Sequence, residues 1–452
     1  QCCLVGSEMC IRDRVEAAAS SGGSIMPPVM GVAAFVLAAL TSVPYSDVII
    51  AAIIPALAYF FCLFLSVVFQ ARKQNIQAIG KITDDMRLDR QDILNLVMIF
   101  GPILLILALL LTKKEAVGCG LFGELMGANR IISGSNCEII SLSWIQELIR
   151  NAAGDAGSAG WYAVMLLLGL LFVDPEVRAR PKKIIDALSN AGILISTLYL
   201  MFLAVSIIDF CLKFTGLPTF LSLDVLGWLQ ALGLGQGGSV AFQLLALILT
   251  MLMAILLGMG MPAVPAYINV ALLLGPVLAG LGIANFTAHM FIFYFAVASA
   301  ITPPVALAAF AASSITKAEP MSTAFSAVKS GIVMFVIPFV FAFYPELLLI
   351  DDAVIDAAAS ASGQITYLAG YDGTVDTGAL ALIMARLVLA LYLLSSALSG
   401  FDRDKLHPVE IVVRLTLAIL LMTKHEMLYL GAAIGGVTLV VLHVIRKREA
   451  IT

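Results

Sequence analysis

Long apolar runs joined by short polar connectors make up most of this chain. They cover roughly 25–42, 47–69, 92–112, 159–173, 184–212, 240–257, 263–282, 286–316, 324–345, 377–398, 409–422 and 426–445. A barrel strand alternates apolar and polar positions over about ten residues, whereas a helix crossing hydrocarbon needs about 17–25 largely apolar residues. Several of these runs meet the helical requirement. The runs at 159–173 and 409–422 are short and must extend into less apolar flanks. The run at 286–316 is long and interrupted by Pro303-Pro304. Without water, backbone groups need internal partners, so the spanning element is the helix. The pattern predicts an all-α polytopic membrane protein.

Composition removes the soluble alternatives. Apolar residues are 61% and charged residues 12% of 452 positions, against about 45–50% and about 25% in soluble domains. From Asp224 to Lys317 the chain passes through no other Asp, Glu, Lys or Arg. A net charge of −4 with scattered basic clusters leaves no nucleic-acid footprint. The surrounding partner is a lipid bilayer.

The remaining charges set sidedness, because Lys and Arg mark cytoplasmic loops. The 70–91 loop carries Arg72, Lys73, Lys81, Arg87 and Arg90. The 174–183 loop carries Arg178, Arg180, Lys182 and Lys183. Arg403 and Lys405 lie in 399–408, and Arg446-Lys447-Arg448 closes the chain. The C-terminus is therefore expected in the cytoplasm. The 346–376 loop holds Asp351, Asp352, Asp356, Asp372 and Asp376 and no base, which fits the exterior. Parity then puts loops 113–158 and 213–239 outside.

Between 213–239 and the inner loop at 317–323 lie three apolar runs. Three full crossings satisfy parity. So does a re-entrant hairpin formed by 240–257 and 263–282, tipped by Gly258-Met259-Gly260-Met261-Pro262. The tip has no charge and no Asn or Asp. Glycine and proline at membrane depth suit backbone that lines a buried site, so the hairpin is favoured.

Two stretches repeat each other. Ile25-Met26-Pro27-Pro28-Val29 leads to Ala33-Ala34-Phe35, and Ile301-Thr302-Pro303-Pro304-Val305 leads to Ala308-Ala309-Phe310. Pro44 and Pro320 follow at the same offset, and each unit continues into an apolar helix with Ile-Pro, at Ile54-Pro55 and Ile337-Pro338. Parity sends the first unit outward where the second runs inward. Inverted repeats with interrupted helices are a signature of secondary transporters. The bland alternative is a pair of coincidental proline kinks in a bundle of other function.

Interrupted helices expose backbone groups. N-terminal ends favour anions, and C-terminal carbonyls favour cations such as sodium. Ser20, Ser21, Gly22, Gly23 and Ser24 precede Pro27-Pro28, while Ser299 and Thr302 precede Pro303-Pro304. Hydroxyls supply neutral oxygens, glycine permits close approach, and proline lacks an N–H. The candidate substrate or sodium site is thus Ser20, Ser21, Gly22, Gly23, Pro27, Gly258, Gly260, Pro262, Ser299, Thr302 and Pro303, with sodium held by backbone near Gly22, Gly258 and Ser299. No catalytic residue or cofactor is expected; the coupling ion, sodium, is what the resemblance given below implies. Asp209 is the best-placed intramembrane acid, though an apolar run can simply end at it. A structural role outweighs a proton relay for His289. Tyr267 and Asn269 either face the site or join helices. Trp144, Trp161 and Trp228 suit interfacial anchoring.

Residues 1–14 are read as a non-native or artefactual segment, with no helical pattern that continues into the first apolar run. The remaining organisation is a first repeat at 15–69, connecting and scaffold helices at 70–239, and a second repeat at 240–345. An acidic loop at 346–376 and C-terminal membrane helices at 377–452 complete it. Cys62 and Cys211 lie in apolar runs as small core residues. Cys119 and Cys137 share the outer loop, where a disulfide is open to them only if that loop is exported.

The runs EAAASSGGSIMPPVMGVAAF (16–35), LLGMGMPAVPAYINVALLLGPVL (256–278) and FYFAVASAITPPVALAAFAAS (293–313) resemble the large membrane subunit of TRAP transporters (DctM-like). The similarity is greatest to fused permeases that join the small and large subunits. It covers about 16–350, is weak over 113–183, and extends to 377–445 as the extra helices of the fused type. The resemblance implies an elevator-type, sodium-coupled importer of organic anions, often dicarboxylates, in the bacterial inner membrane, fed by a periplasmic substrate-binding protein. It matches Gly258, Gly260 and Pro262 to the second hairpin tip, Ser299, Thr302 and Pro303 to the second broken helix, and Ser21, Gly22, Gly23 and Pro27 to the first. The first hairpin and small-subunit helices would lie upstream, so the fragment alone is expected not to transport. Two other classes compete. A membrane-embedded enzyme needs converging acids, histidines or a nucleophile, and the chain has four histidines with none paired at ligand spacing. An accessory structural subunit needs intact helices through Gly258 and Thr302.

The hairpin reading is tested by thiol labelling of Met261→Cys. Reagent added on the cytoplasmic side should fail to reach it in the outward-facing state. Labelling from that side in every state would favour three crossings.

Overall fold

The computed structural model describes residues 6–27, 30–75, 90–112, 114–119, 129–133, 136–216, 240–354 and 376–449, with residues 220, 224 and 227. The chain is overwhelmingly helical. Among the described residues, five helices are long and apolar enough to cross a membrane: Tyr45–Lys73, Gln91–Leu111, Pro320–Phe343, Thr377–Ser399 and Glu426–Ile445. The protein is a polytopic membrane protein, as the apolar runs predict.

Two units are distinguished by their internal contacts. One gathers the described residues of Ala38–Ile49 and Ile79–Ala204; the other gathers those of Gln1–Leu37, Ile50–Ala78 and Val205–Thr452.

In the first of these, helix α4 (Arg90–Leu111) packs along α7 (Ala156–Leu171). Between them the connecting segment is more ordered than a plain loop. It holds α5 (Lys114–Cys119), an antiparallel hairpin of β1 (Asn129–Ser133) with β2 (Asn136–Ser141), and α6 (Trp144–Ala152). Ser143 and Gln146 form a reciprocal capping box that starts α6. The carboxylate of Asp155 caps α7, accepting from the Ser158 N–H at 2.8 Å. Its hydrogen bonds from Ser158 hold that carboxyl below the usual Asp range. Cys119 is disulfide-bonded. The Cys137 side chain lies outside the described residues. Trp144 and Trp161 are exposed; Trp228 lies outside the described residues.

The second unit contains most of both repeats. Helix α1 runs Gly6–Gly23 and α2 runs Val32–Thr41, with the interval between them non-helical where described. Helix α3 (Tyr45–Lys73) comes next, with Pro55 inside it. In the other repeat, α12 (Asn285–Ala298) ends in a 3-10 turn at Ser299–Ile301, α13 covers Leu307–Thr316, and α14 (Pro320–Ser330) leads into α15 (Val333–Phe343), which contains Pro338. The half-helices α2 and α13 have 10 residues each. Each is followed by a non-glycine residue in the left-handed region, Ser42 (φ 59°) and Lys317 (φ 60°). That match of lengths and stops extends the repeat beyond its shared prolines.

One expectation is corrected. Residues 1–14 were expected to lack a helical pattern, yet α1 begins at Gly6 and continues without interruption. Glu8, Met9, Ile11, Arg12 and Arg14 are adequate helix formers, and no proline or further glycine intervenes before Gly22.

Helices α10 (Val240–Gly258) and α11 (Ala263–Gly280) pack against each other as a helical hairpin, and both pack on α12. Helix α12 is the core of this unit: from Phe286 to Ala298 its side chains are buried almost without exception. Its rings meet edge to face, Phe291 with Phe295 and Phe339, and Tyr294 with Phe341.

The C-terminal helices α16 (Thr377–Ser399), α17 (Pro408–Leu421) and α18 (Glu426–Glu449) form a bundle with a small apolar core of its own around Leu393, Leu421 and Ala432. It is tied by two buried arginines. Arg386 donates to the Leu421 and Thr423 carbonyls at 2.8 and 2.7 Å and to the Tyr344 hydroxyl at 3.1 Å, with its guanidinium 4.0 Å from the Tyr429 ring centre. It thereby neutralises the carbonyl end of α17. Arg414, fully buried, donates to Asp402 Oδ2 at 2.9 Å, Ser396 Oγ at 2.7 Å and Glu410 Oε1 at 2.9 Å. Tyr392 donates to the other Asp402 oxygen, and His443 Nε2 lies 2.8 Å from Glu410 Oε1. The bundle attaches to α3 through Lys73 Nζ on the Ser399 carbonyl (2.7 Å), Cys62 beside Ser395, and the Phe69–Tyr392 ring contact.

Removing one partner of a buried pair strands the other charge, at a cost of about 3–5 kcal/mol. Arg414→Met should therefore lower the thermal midpoint of the purified protein markedly. Adding Asp402→Asn to that variant should restore part of the loss, because the stranded carboxylate is removed. Equal midpoints for wild type and Arg414→Met would refute this account of the bundle.

Candidate functional site

The second break and the hairpin tip meet directly. Helix α10 ends at Gly258, and a Cβ built there would sit 2.8 Å from Ser299 Oγ. Only glycine admits this approach. The Ser299 hydroxyl lies 3.0 Å from the Gly258 carbonyl and 2.7 Å from that of Ala296. It carries one proton for two acceptors, so the three oxygens form a compact neutral cluster at the C-terminal end of α12. The Thr302 hydroxyl donates to the Ala298 carbonyl at 2.7 Å. The hydroxyls beside this break thus add hydrogen bonds to carbonyls in the last turn of the interrupted helix.

Gly260 occupies the left-handed region at φ 77°, and a Cβ there would approach Val305 Cγ1 at 3.5 Å. The tip therefore lies against the chain just beyond Pro303-Pro304. Pro262 is exposed and serves as the N-cap of α11, whose first N–H groups receive no side-chain cap.

At the first break, the Ser21 hydroxyl donates to the Ala17 carbonyl at 3.1 Å, and the Gly31 N–H donates to Ser24 across the gap at 3.0 Å. A Cβ on Gly22 would clash with Cε1 and Cδ1 of Tyr59, so the space left by that glycine is taken by the tyrosine ring. Ser20 and Gly23 are exposed, and Gly23 has open space around its Cα. Pro27 is half-buried, and Pro28 lies outside the described residues.

The two breaks are joined by packing. Helix α1 lies against α13, α14 and the 3-10 turn at 299–301. Tyr59 donates to the Ala18 carbonyl at 2.7 Å, while its hydroxyl and Ile301 Cδ1 each come within 3.3 Å of the Cβ position of Gly331. Tyr59 was not singled out from the sequence. The available signal was the first hydroxyl after Pro55 in that apolar run, with Gly22 as its counterpart.

Among the residues weighed for other roles, His289 Nδ1 shares a 2.7 Å hydrogen bond with the Tyr267 hydroxyl, joining α11 to α12. The Asp209 side chain lies outside the described residues. Among the described residues, no three His, Cys, Asp or Glu side chains converge. Asn269 is buried; its Nδ2 lies 3.5 Å from Met261 Sδ, and its Oδ1 has no partner among the described residues.

Overpacking a filled site costs about 1–3 kcal/mol. Gly22→Ala and Gly258→Ala should each lower the thermal midpoint of the purified protein. Gly23→Ala, with open space at its Cα, should leave the midpoint nearly unchanged. Equal effects at all three positions would contradict these close approaches.

The family described as "Tripartite ATP-independent periplasmic transporter, DctM component" matches residues 13–129 and 142–354. Both breaks and the hairpin fall within the match, and the C-terminal bundle lies beyond it. A search of curated proteins found no match.

Proposed function

Because the chain belongs to the DctM family of tripartite ATP-independent periplasmic transporter components, we propose that it is a sodium-coupled permease importing organic anions. It works with a periplasmic substrate-binding protein in the bacterial inner membrane, with its C-terminus in the cytoplasm. Dicarboxylates and related carboxylates are the proposed solutes. The observation that carries this reading is the meeting of Gly258 and Ser299, two helix interruptions joined through backbone and hydroxyl oxygens.

The donor set suits a hard monovalent cation. The stretch between Asp224 and Lys317 offers no carboxylate, so a cation there relies on carbonyls and hydroxyls. The C-terminal end of α12 carries the negative end of its dipole toward Ser299. The start of α11, a few residues along the hairpin, carries the opposite polarity toward an anion. Cation and anion then bind close together with opposite signs, and each favours the other. That mutual attraction is the physical basis for coupling. In the elevator reading, the two broken helices and the hairpin move together, since α1, α13 and α14 pack as one group.

Uptake of a labelled carboxylate should be measured in proteoliposomes holding the full-length parent permease, supplied with the binding protein. An inward sodium gradient should drive uptake, and equimolar potassium should reduce it by about tenfold or more. Ser299→Ala should raise the sodium concentration needed for half-maximal rate, by about fivefold if one oxygen ligand contributes about 1 kcal/mol. Uptake indifferent to sodium would sink the coupling.

A further inference from the structure

Asn269 presents a polar atom that its surroundings leave unanswered. It is more than nine-tenths buried, and its Oδ1 accepts no hydrogen bond among the described residues. Its Nδ2 has only the Met261 thioether, a weak acceptor. Exchanging the two amide positions moves the difficulty without removing it, because the nitrogen would then be unpartnered. A buried amide left this way is costly unless something else answers it.

Its position points to that partner. Asn269 lies on α11 three residues beyond Ala266, on the same helix face. Ala266 Cβ is 3.5 Å from the Cβ position of Gly258, which touches Ser299. Asn269 is aimed at the hairpin tip, since Met261 belongs to it. The near end of α11 is its N-terminus, without a side-chain cap. That end repels a cation and attracts an anion. The Met261 side chain is flexible, and its sulfur gives up little when displaced.

We propose that Asn269 is a solute-selecting residue, whose amide oxygen accepts a hydrogen bond from a hydroxyl or amino group on the transported carboxylate. This rests on the transporter reading above and narrows its substrate class to hydroxy- or amino-substituted carboxylates. The solute enters between Met261 and Asn269, with its carboxylate toward the start of α11 and its donor on Oδ1. A solute with only C–H groups at that place leaves the oxygen unpaired and is disfavoured.

The test is sodium-driven uptake by the reconstituted full-length parent permease with its binding protein. The probes are three- to six-carbon carboxylates in matched unsubstituted, 2-hydroxy and 2-amino forms. Wild type should prefer a substituted member over its unsubstituted partner by about tenfold or more in kcat/KM. Asn269→Leu, similar in volume, should bring that ratio to within about twofold, mainly through the KM of the substituted member. If Asn269→Leu does not fold, Asn269→Ser replaces it and should lower the ratio in the same direction. An unchanged ratio overturns the assignment. So does a shift in the sodium concentration for half-maximal rate at constant ratio, which makes Asn269 a cation ligand. Wild-type uptake without preference overturns the assignment but leaves the transporter reading standing. Uptake of none of the probes overturns both.

Discussion

Backbone polar groups freed by interrupting a helix must find partners where water is scarce, and much of this structure stems from that requirement. At the second break Ser299 and Thr302 serve the carbonyls of α12. At the first, Ser21 serves Ala17, and the Ser24 carbonyl is met across the gap by Gly31. The Ala18 carbonyl receives its hydrogen bond from Tyr59, on another helix. Each interruption therefore draws neighbouring elements toward it. The breaks are junctions, which brings Gly258, Ser299, Ile301, Tyr59 and Gly22 into one packed series.

The two polar systems of the second unit differ in kind. Around the breaks the partners are neutral oxygens and N–H groups, which exchange partners at low electrostatic cost. In the C-terminal bundle, Arg414 with Asp402 and Glu410, and Arg386 with the end of α17, are charged and fully engaged. A buried ion pair gains little over an apolar core when complete but loses much when broken. The first arrangement suits a region that rearranges and the second a region that holds one geometry. The bundle joins α3 at Cys62, Phe69 and Lys73, beyond the part of that helix that contains Tyr59.

Much of the architecture was legible because hydrophobicity and proline act locally. The apolar runs foretold the helices, and both interruptions lie where Pro27 and Pro303 indicate. The tip at 258–262 separates α10 from α11 as its glycines and proline suggest. Other features were not legible. Ser42 and Lys317 adopt left-handed conformations that a sequence assigns first to glycine. The segment between α4 and α7 gave no strong strand pattern, and its β1–β2 hairpin depends on neighbours such as α5. The helical start at Gly6 was hidden by polar residues that carry no amphipathic pattern.

Residence in a membrane, the places where the helices break, and the lack of charge at the candidate site can all be read along the chain. Those properties depend on composition and on residues adjacent in sequence. Which polar atom answers which emerges only from the packed helices. Gly22 faces Tyr59, Gly258 faces Ser299, His289 is met by Tyr267, and Asn269 Oδ1 is met by nothing among the described residues. Hydrogen bonding and close packing act over a few ångströms between residues far apart in sequence. Their pairing exists only once the helices are placed.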